Sequence, residues 1–142
     1  MDGPENSMVS EPRNPGTSTQ DSPQTIWIID SEQWPRACLR AELIERGYDA
    51  IGFTEIKGAL SALRSRRRKL PNVTVLELRG QKVKREILGA LTAMPAPLIV
   101  IGGAQELNHL LIKEFAFPTI LKRPVTLGRV ADVIDAIILS HR

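Results

Sequence analysis

The chain has 142 residues, a net charge of +3 from 19 Lys and Arg against 16 Asp and Glu, and one cysteine. This length suits one domain with its own core, and Cys38 alone excludes an intramolecular disulfide framework or a Cys-based zinc site, so a reducing cytoplasm is the expected setting. No apolar run approaches a membrane span and the start lacks the basic and apolar parts of a signal peptide, so a soluble cytoplasmic protein without a membrane partner is expected.

Residues 1–24 are rich in Pro, Ser, Gly, Thr, Asn and Gln, and Met8 and Val9 are their one clear apolar pair. Such a segment buries too little to offset its ordering entropy and is expected to be a disordered tail, leaving 25–142 as the domain. The tail carries Asp2, Glu5, Glu11 and Asp21 against Arg13 alone, so most of the positive excess lies on the domain, much of it in Arg64, Arg66, Arg67, Arg68 and Lys69. A run of this kind ordinarily solvates a helix end.

Thr25 to Asp30 reads as a buried strand ending on a carboxylate. Ser31 is placed to cap the next helix, with Pro35 in its first turn, Cys38, Leu39, Ala41, Leu43 and Ile44 on its apolar stripe, and Gly47 closing it. Residues 48–53 form a shorter strand, and Thr54 is placed to cap a helix carrying Ile56, Ala59, Leu60 and Leu63 and ending in the basic run before Pro71. Val73, Val75, Leu76 and Leu78 are too continuous for a half-exposed strand; they predict a central parallel strand covered on both faces, delivering Glu77 where it gives out.

Val83, Ile87, Leu88, Leu91 and Met94 mark a third helix stopped by Pro95 and Pro97, and Leu98 to Ile101 a fourth strand ending in Gly102-Gly103. A fourth helix is expected over 105–115, with Leu107, Leu110, Leu111 and Phe115 inward. A short strand over 117–121 then leads to Lys122-Arg123-Pro124, and a last helix is capped by Thr126. Five alternations of strand and helix with short loops imply right-handed βαβ units, hence a five-stranded parallel sheet, order 2-1-3-4-5, in a doubly wound α/β/α sandwich. That order sets Asp30 beside Glu77 at the switch point, with Gly102 and Lys122 arriving from the neighbouring strand ends.

From Thr25 to about Ser140 the chain resembles the response-regulator receiver domain of two-component signalling, a flavodoxin-like fold. The resemblance rests on Ile28-Ile29-Asp30-Ser31-Glu32, Glu45-Arg46-Gly47-Tyr48, Val75-Leu76-Glu77-Leu78-Arg79 and Leu121-Lys122-Arg123-Pro124. Working receivers hold Mg²⁺ through an acidic pair after strand one and an acceptor Asp after strand three. A hydroxyl after strand four and an aromatic on strand five report phosphorylation, and a Lys after strand five contacts the phosphoryl group. The resemblance places Ser31 at the second acidic position, Glu77 at the acceptor, Gly102 at the hydroxyl and Thr119 at the aromatic, so that Asp30 and Lys122 alone match.

Losing one carboxylate to Ser31 weakens a site that depends on hard oxygen ligands, so Asp30 and Glu77 would hold Mg²⁺ poorly and no cofactor is expected. Glu77, one methylene longer than Asp, projects into the space of a phosphoryl group and disturbs in-line transfer. A Glu77–Lys122 pair is expected, either imitating a phosphorylated state or filling an inert pocket; Asp30 has the alternative role of capping a loop.

The resulting expectation is a degenerate, non-enzymatic receiver acting as a phosphorylation-independent protein-interaction module. Its partner would be an effector, a histidine kinase or a second copy, docked on helix four, strand five and helix five. That face is expected to be polar, with Lys113, Glu114, Arg123, Arg129, Asp132 and Asp135 displayed. Two alternatives stand beside it: a receiver still phosphorylated by a histidine kinase, and a nucleic-acid-binding domain using Arg64 to Lys69. The latter is weakened because aromatics are few and not interleaved with the basic run. Gly102-Gly103-Ala104 is a weak phosphate cradle without a P-loop Lys, His109 and His141 have no partners in a metal-binding pattern, Cys38 reads as core filler, and Trp27 and Trp34 read as packed or half-packed.

Overall fold

The computed structural model describes residues 22–66 and 68–141. The expected disordered tail therefore lies, over 1–21, outside the described residues, as do Arg67 of the basic run and Arg142.

The strands are β1 (Thr25–Ile29), β2 (Asp49–Phe53), β3 (Val73–Glu77), β4 (Leu98–Gly102) and β5 (Thr119–Lys122). They form one parallel sheet in the order β2-β1-β3-β4-β5, as the alternation predicts. The helices are α1 (Gln33–Glu45), α2 (Ile56–Ser65), α3 (Arg85–Thr92), α4 (Ala104–Leu107), α5 (Leu110–Phe115) and α6 (Leu127–Ser140).

The continuous apolar runs in β1, β3 and β4 are explained by two cores, one on each face of the sheet. Trp27, Ile29, Leu76 and Val100 face α2, α3 and α5, whereas Ile26, Ile28, Val75 and Ile99 face α1 and α6. Successive residues of a strand point to opposite faces, so a strand covered twice needs an apolar residue at nearly every position. Trp27 is wholly buried; its Nε1 donates to Lys69 O at 3.0 Å and its ring meets Phe53 at a centroid distance of 4.8 Å.

Several local expectations change. Trp34 is 78% exposed, not packed, because it sits on the outer side of the first turn of α1. Ser31 does not cap α1: the N-cap is Glu32, whose backbone N–H donates to Asp30 Oδ1 at 2.9 Å, which gives Asp30 the loop-capping role. Thr54 likewise yields to Gln81, whose Oε1 accepts from Ile56 N at the start of α2 at 3.3 Å. Thr126 does cap α6, accepting from Arg129 N at 3.1 Å, and Gly47 closes α1 with φ +95°.

The single helix expected over 105–115 is two. His109 breaks it by accepting from Leu111 N through Nδ1 at 3.1 Å, a local bond that competes with the helical one and restarts the turn. The rotation turns Leu110 out to 81% exposure while Ile112 takes the buried place. Cys38 is half-buried at the edge of the α1 stripe.

Candidate functional site

Pleat parity decides which side chains meet at the carboxyl ends of the strands. Glu77 shares its parity with Val73 and Val75 and so points toward the α1 and α6 side, into a cleft of about 150 Å³ lined by Asp30, Arg79 and Arg123 among others. In β5, Leu121 packs into that same core, so Arg123, two residues on, reaches the cleft. Lys122 has the opposite parity and is exposed.

The expected Glu77–Lys122 pair is thus replaced by Glu77–Arg123. Arg123 Nε donates to Oε1 and Oε2 of Glu77 at 3.1 and 3.2 Å, and its other end pairs with Glu106. The Arg123–Pro124 peptide bond is cis. Arg79 N donates to Glu77 Oε1 at 3.0 Å, closing a two-residue loop back onto the strand end. Burial pushes the Glu77 carboxyl above its ordinary value of 4.5, against the opposing pull of the Arg79 N–H and the Arg123 and Arg79 charges.

Asp30, like Glu77, is only 6% exposed. Its Oδ2 faces Arg79 Nη2 at 3.4 Å, and Arg79 Nε lies 3.2 Å from Glu32 Oε2 without the alignment of a hydrogen bond. Ser31 Oγ donates to Arg79 O at 2.9 Å, so this hydroxyl is engaged by backbone.

The donor set does not fit Mg²⁺. A hard divalent ion needs several oxygens around an octahedron, whereas each buried carboxylate here faces a guanidinium. Among the described residues no group of three His, Cys, Asp or Glu side chains is placed to hold a metal ion.

Gly102 is fixed by packing. A Cβ at this position would lie 3.0 Å from Leu78 Cδ1 and 3.1 Å from Leu107 Cδ2, so two leucines crowd the space a side chain would need. Thr119 is half-buried at the start of β5, and the apolar residue that this strand turns outward, beside Lys122, is Ile120 at 42% exposure. The Gly102-Gly103 loop is no phosphate cradle: Gly103 N donates to Glu106 Oε1 at 2.7 Å.

The anticipated polar face is also largely consumed within the domain. Arg123 turns inward, Glu114 pairs with Arg85, and Asp132 and Asp135 both pair with Arg46 of α1. In the basic run, Lys69 pairs with Asp49 at 3.1 Å and Arg66 takes a left-handed conformation at the end of α2. Arg123 and Arg79 are the functional-site residues that sequence reasoning missed. The alternation Thr119-Ile120-Leu121-Lys122-Arg123, counted from Leu121 as an inward residue, was the signal for the first.

No protein-family model matches the chain, and no curated protein sequence matches it either. Solved structures do resemble it. A response regulator receiver protein from Sinorhizobium medicae superposes with a TM-score of 0.68 at 17% identity, covering 85% of this chain and 98% of that one. A response regulator from Thermotoga maritima gives 0.62 at 15%, covering 82% and 98%. Full-length FixJ from B. japonicum gives 0.65 at 18%, covering 81% of this chain and 57% of FixJ. The chain has the five-stranded receiver fold; identities at this level speak for the fold alone. No described helix is long and apolar enough to cross a membrane.

Proposed function

We propose that this receiver-fold domain works in signal transduction as a protein-interaction module that neither takes up a phosphoryl group nor needs one. The observation carrying this reading is the Arg123 guanidinium bound across both oxygens of Glu77. A carboxylate already held by a half-buried cation offers neither a metal ligand nor a nucleophile aligned on an incoming phosphorus. Ser31, tied to Arg79 O, and Gly102, walled by leucines, support the same reading, since each stands where a working receiver needs a reactive side chain. The fixed ion pairs hold the strand ends in one arrangement, so the domain presents a constant surface instead of a switched one.

The contact face we assign runs from α5 through β5 to α6, elements that expose the large apolar side chains of Leu110, Ile120, Leu127 and Leu139. It suits a protein partner, either an effector or a second copy, and no enzymatic role is assigned. The cytoplasm is the compartment proposed, on the grounds of the lone cysteine.

Incubation with Mg²⁺ and acetyl phosphate, followed by Phos-tag electrophoresis, tests the reading. We expect no retarded species, and no saturable response to beryllofluoride with Mg²⁺. A stable adduct at Glu77 would overturn it in favour of a receiver that still accepts phosphate.

A further inference from the structure

The Glu77 cleft lies on the α1 and α6 side of the strand ends. On the other side, between the loop entering α2 and the loop entering α3, is a second and larger cavity of about 320 Å³. Three lysines line it: Lys57 in the first turn of α2, Lys82 in the loop after β3, and Lys84 at the start of α3. Among the described residues none of the three makes an ion pair with a carboxylate. Glu55 is the one acidic residue of the lining, so the wall carries an excess of two positive charges, and the half-buried Ile87 contributes an apolar part.

The cavity is held open by specific bonds. Gln81 ties the two loops together: its Nε2 donates to Thr54 O at 2.9 Å and its Oε1 accepts from Ile56 N at 3.3 Å. Gln81 N donates to Leu78 O at 3.0 Å, closing a turn whose third residue, Gly80, has φ +74°, the left-handed conformation such a turn requires. A Cβ at Gly80 would sit 2.3 Å from Ser31 Oγ, so this residue must be glycine for the loop to lie against Ser31 and form the wall.

We propose that this cavity binds a small phosphate-bearing molecule, with the three ammonium groups on the phosphate and the half-buried Ile87 against a compact apolar portion. The excess charge matches a phosphate monoester, which is close to a dianion at neutral pH, and lysines act as point-charge phosphate binders. The volume lies at the lower end of small-molecule sites, near 300 Å³. The first turn of α2 borders the cavity, so the positive end of that helix adds to the attraction. The location outside the carboxyl ends of parallel strands is where open α/β sheets take ligands. This inference is independent of whether Glu77 can be phosphorylated.

The test is calorimetric titration of the whole protein at low salt with two probes, inorganic phosphate and adenosine 5′-monophosphate, together with amide chemical-shift mapping. Saturable binding of either probe, with shifts centred on Lys57, Gly80 and Gln81, is the expected result; tighter binding of the nucleotide assigns the apolar wall a share. Replacing Lys82 and Lys84 together by Ala should weaken affinity about tenfold or more, and replacement by Arg should retain most of it. The variant Arg64→Ala with Arg68→Ala, outside the cavity, should leave binding unchanged. No saturable response to either probe at millimolar concentration overturns the proposal, as does equal weakening by the Arg64 and Arg68 variant.

Discussion

The two sides of the strand ends differ in what their charges are doing. On the α1 and α6 side, Glu77 and Asp30 are buried and each is matched by an arginine, and those arginines are matched again by Glu106 and Glu32. On the α2 and α3 side, Lys57, Lys82 and Lys84 surround a larger cavity with a single carboxylate among them. Buried carboxylates already paired with cations hold geometry and leave little binding capacity, whereas unmatched charges around a concavity keep theirs. The contrast locates paired, fixed charges on one side of the strand ends and unpaired charge around a concavity on the other.

The sharpest way to break this contrast is Glu77→Ala. It strands the Arg79 N–H and removes the anion facing two guanidinium groups in a buried cleft, so a loss of about 3 kcal/mol in urea unfolding is expected. A loss under about 0.5 kcal/mol, the range of ordinary surface changes, would mean the pair is not a matched network.

Glu77→Gln is milder and tests the charge separately from the hydrogen bonds. The amide oxygen still accepts from Arg79 N, and burial already disfavours the ionised carboxylate, so stability at neutral pH should stay within about 1 kcal/mol of wild type. Its signature is the pH profile. With the folded value of Glu77 raised above the unfolded one, the native state holds this proton more tightly. The stability this gives is complete below the unfolded carboxyl range and is lost as pH rises through the folded value. Denaturant midpoints measured across the acidic range should therefore fall less steeply with rising pH in Glu77→Gln; identical slopes would show that Glu77 is not the titrating group.

The smallest effect is expected on the opposite side. Lys82→Ala and Lys84→Ala remove exposed, unpaired side chains, so each should change stability by less than about 0.5 kcal/mol in the same assay. A larger loss would place these lysines in the folding network and erase the distinction between the two sides.

The strand order, the two-faced burial of β1, β3 and β4, the Gly47 closure and the Thr126 cap were all legible, because each depends on local pattern or on a rule of chain connection. What was not legible depended on parity or on residues distant in sequence. The resemblance set Lys122 against Glu77, but the pleat of β5 turns Lys122 outward and brings Arg123, one residue on, to the inward face. The break at His109 was hidden by a hydrophobic period that runs through it, with Leu107, Leu111 and Phe115 still partly buried on either side. Ser31 and Thr54 are good capping types, yet Ser31 bonds to Arg79 O and Gln81 bonds to the start of α2. The lysine cavity joins residues of two separate loops, which no local window contains.

Gly102 has a consequence for substitutions at this end of the sheet. A Cβ there would meet Leu78 Cδ1 at 3.0 Å and Leu107 Cδ2 at 3.1 Å, so both leucines must give by a few tenths of an ångström to admit any side chain. The packing therefore couples position 102 to positions 78 and 107, so a change at one is felt at the other two.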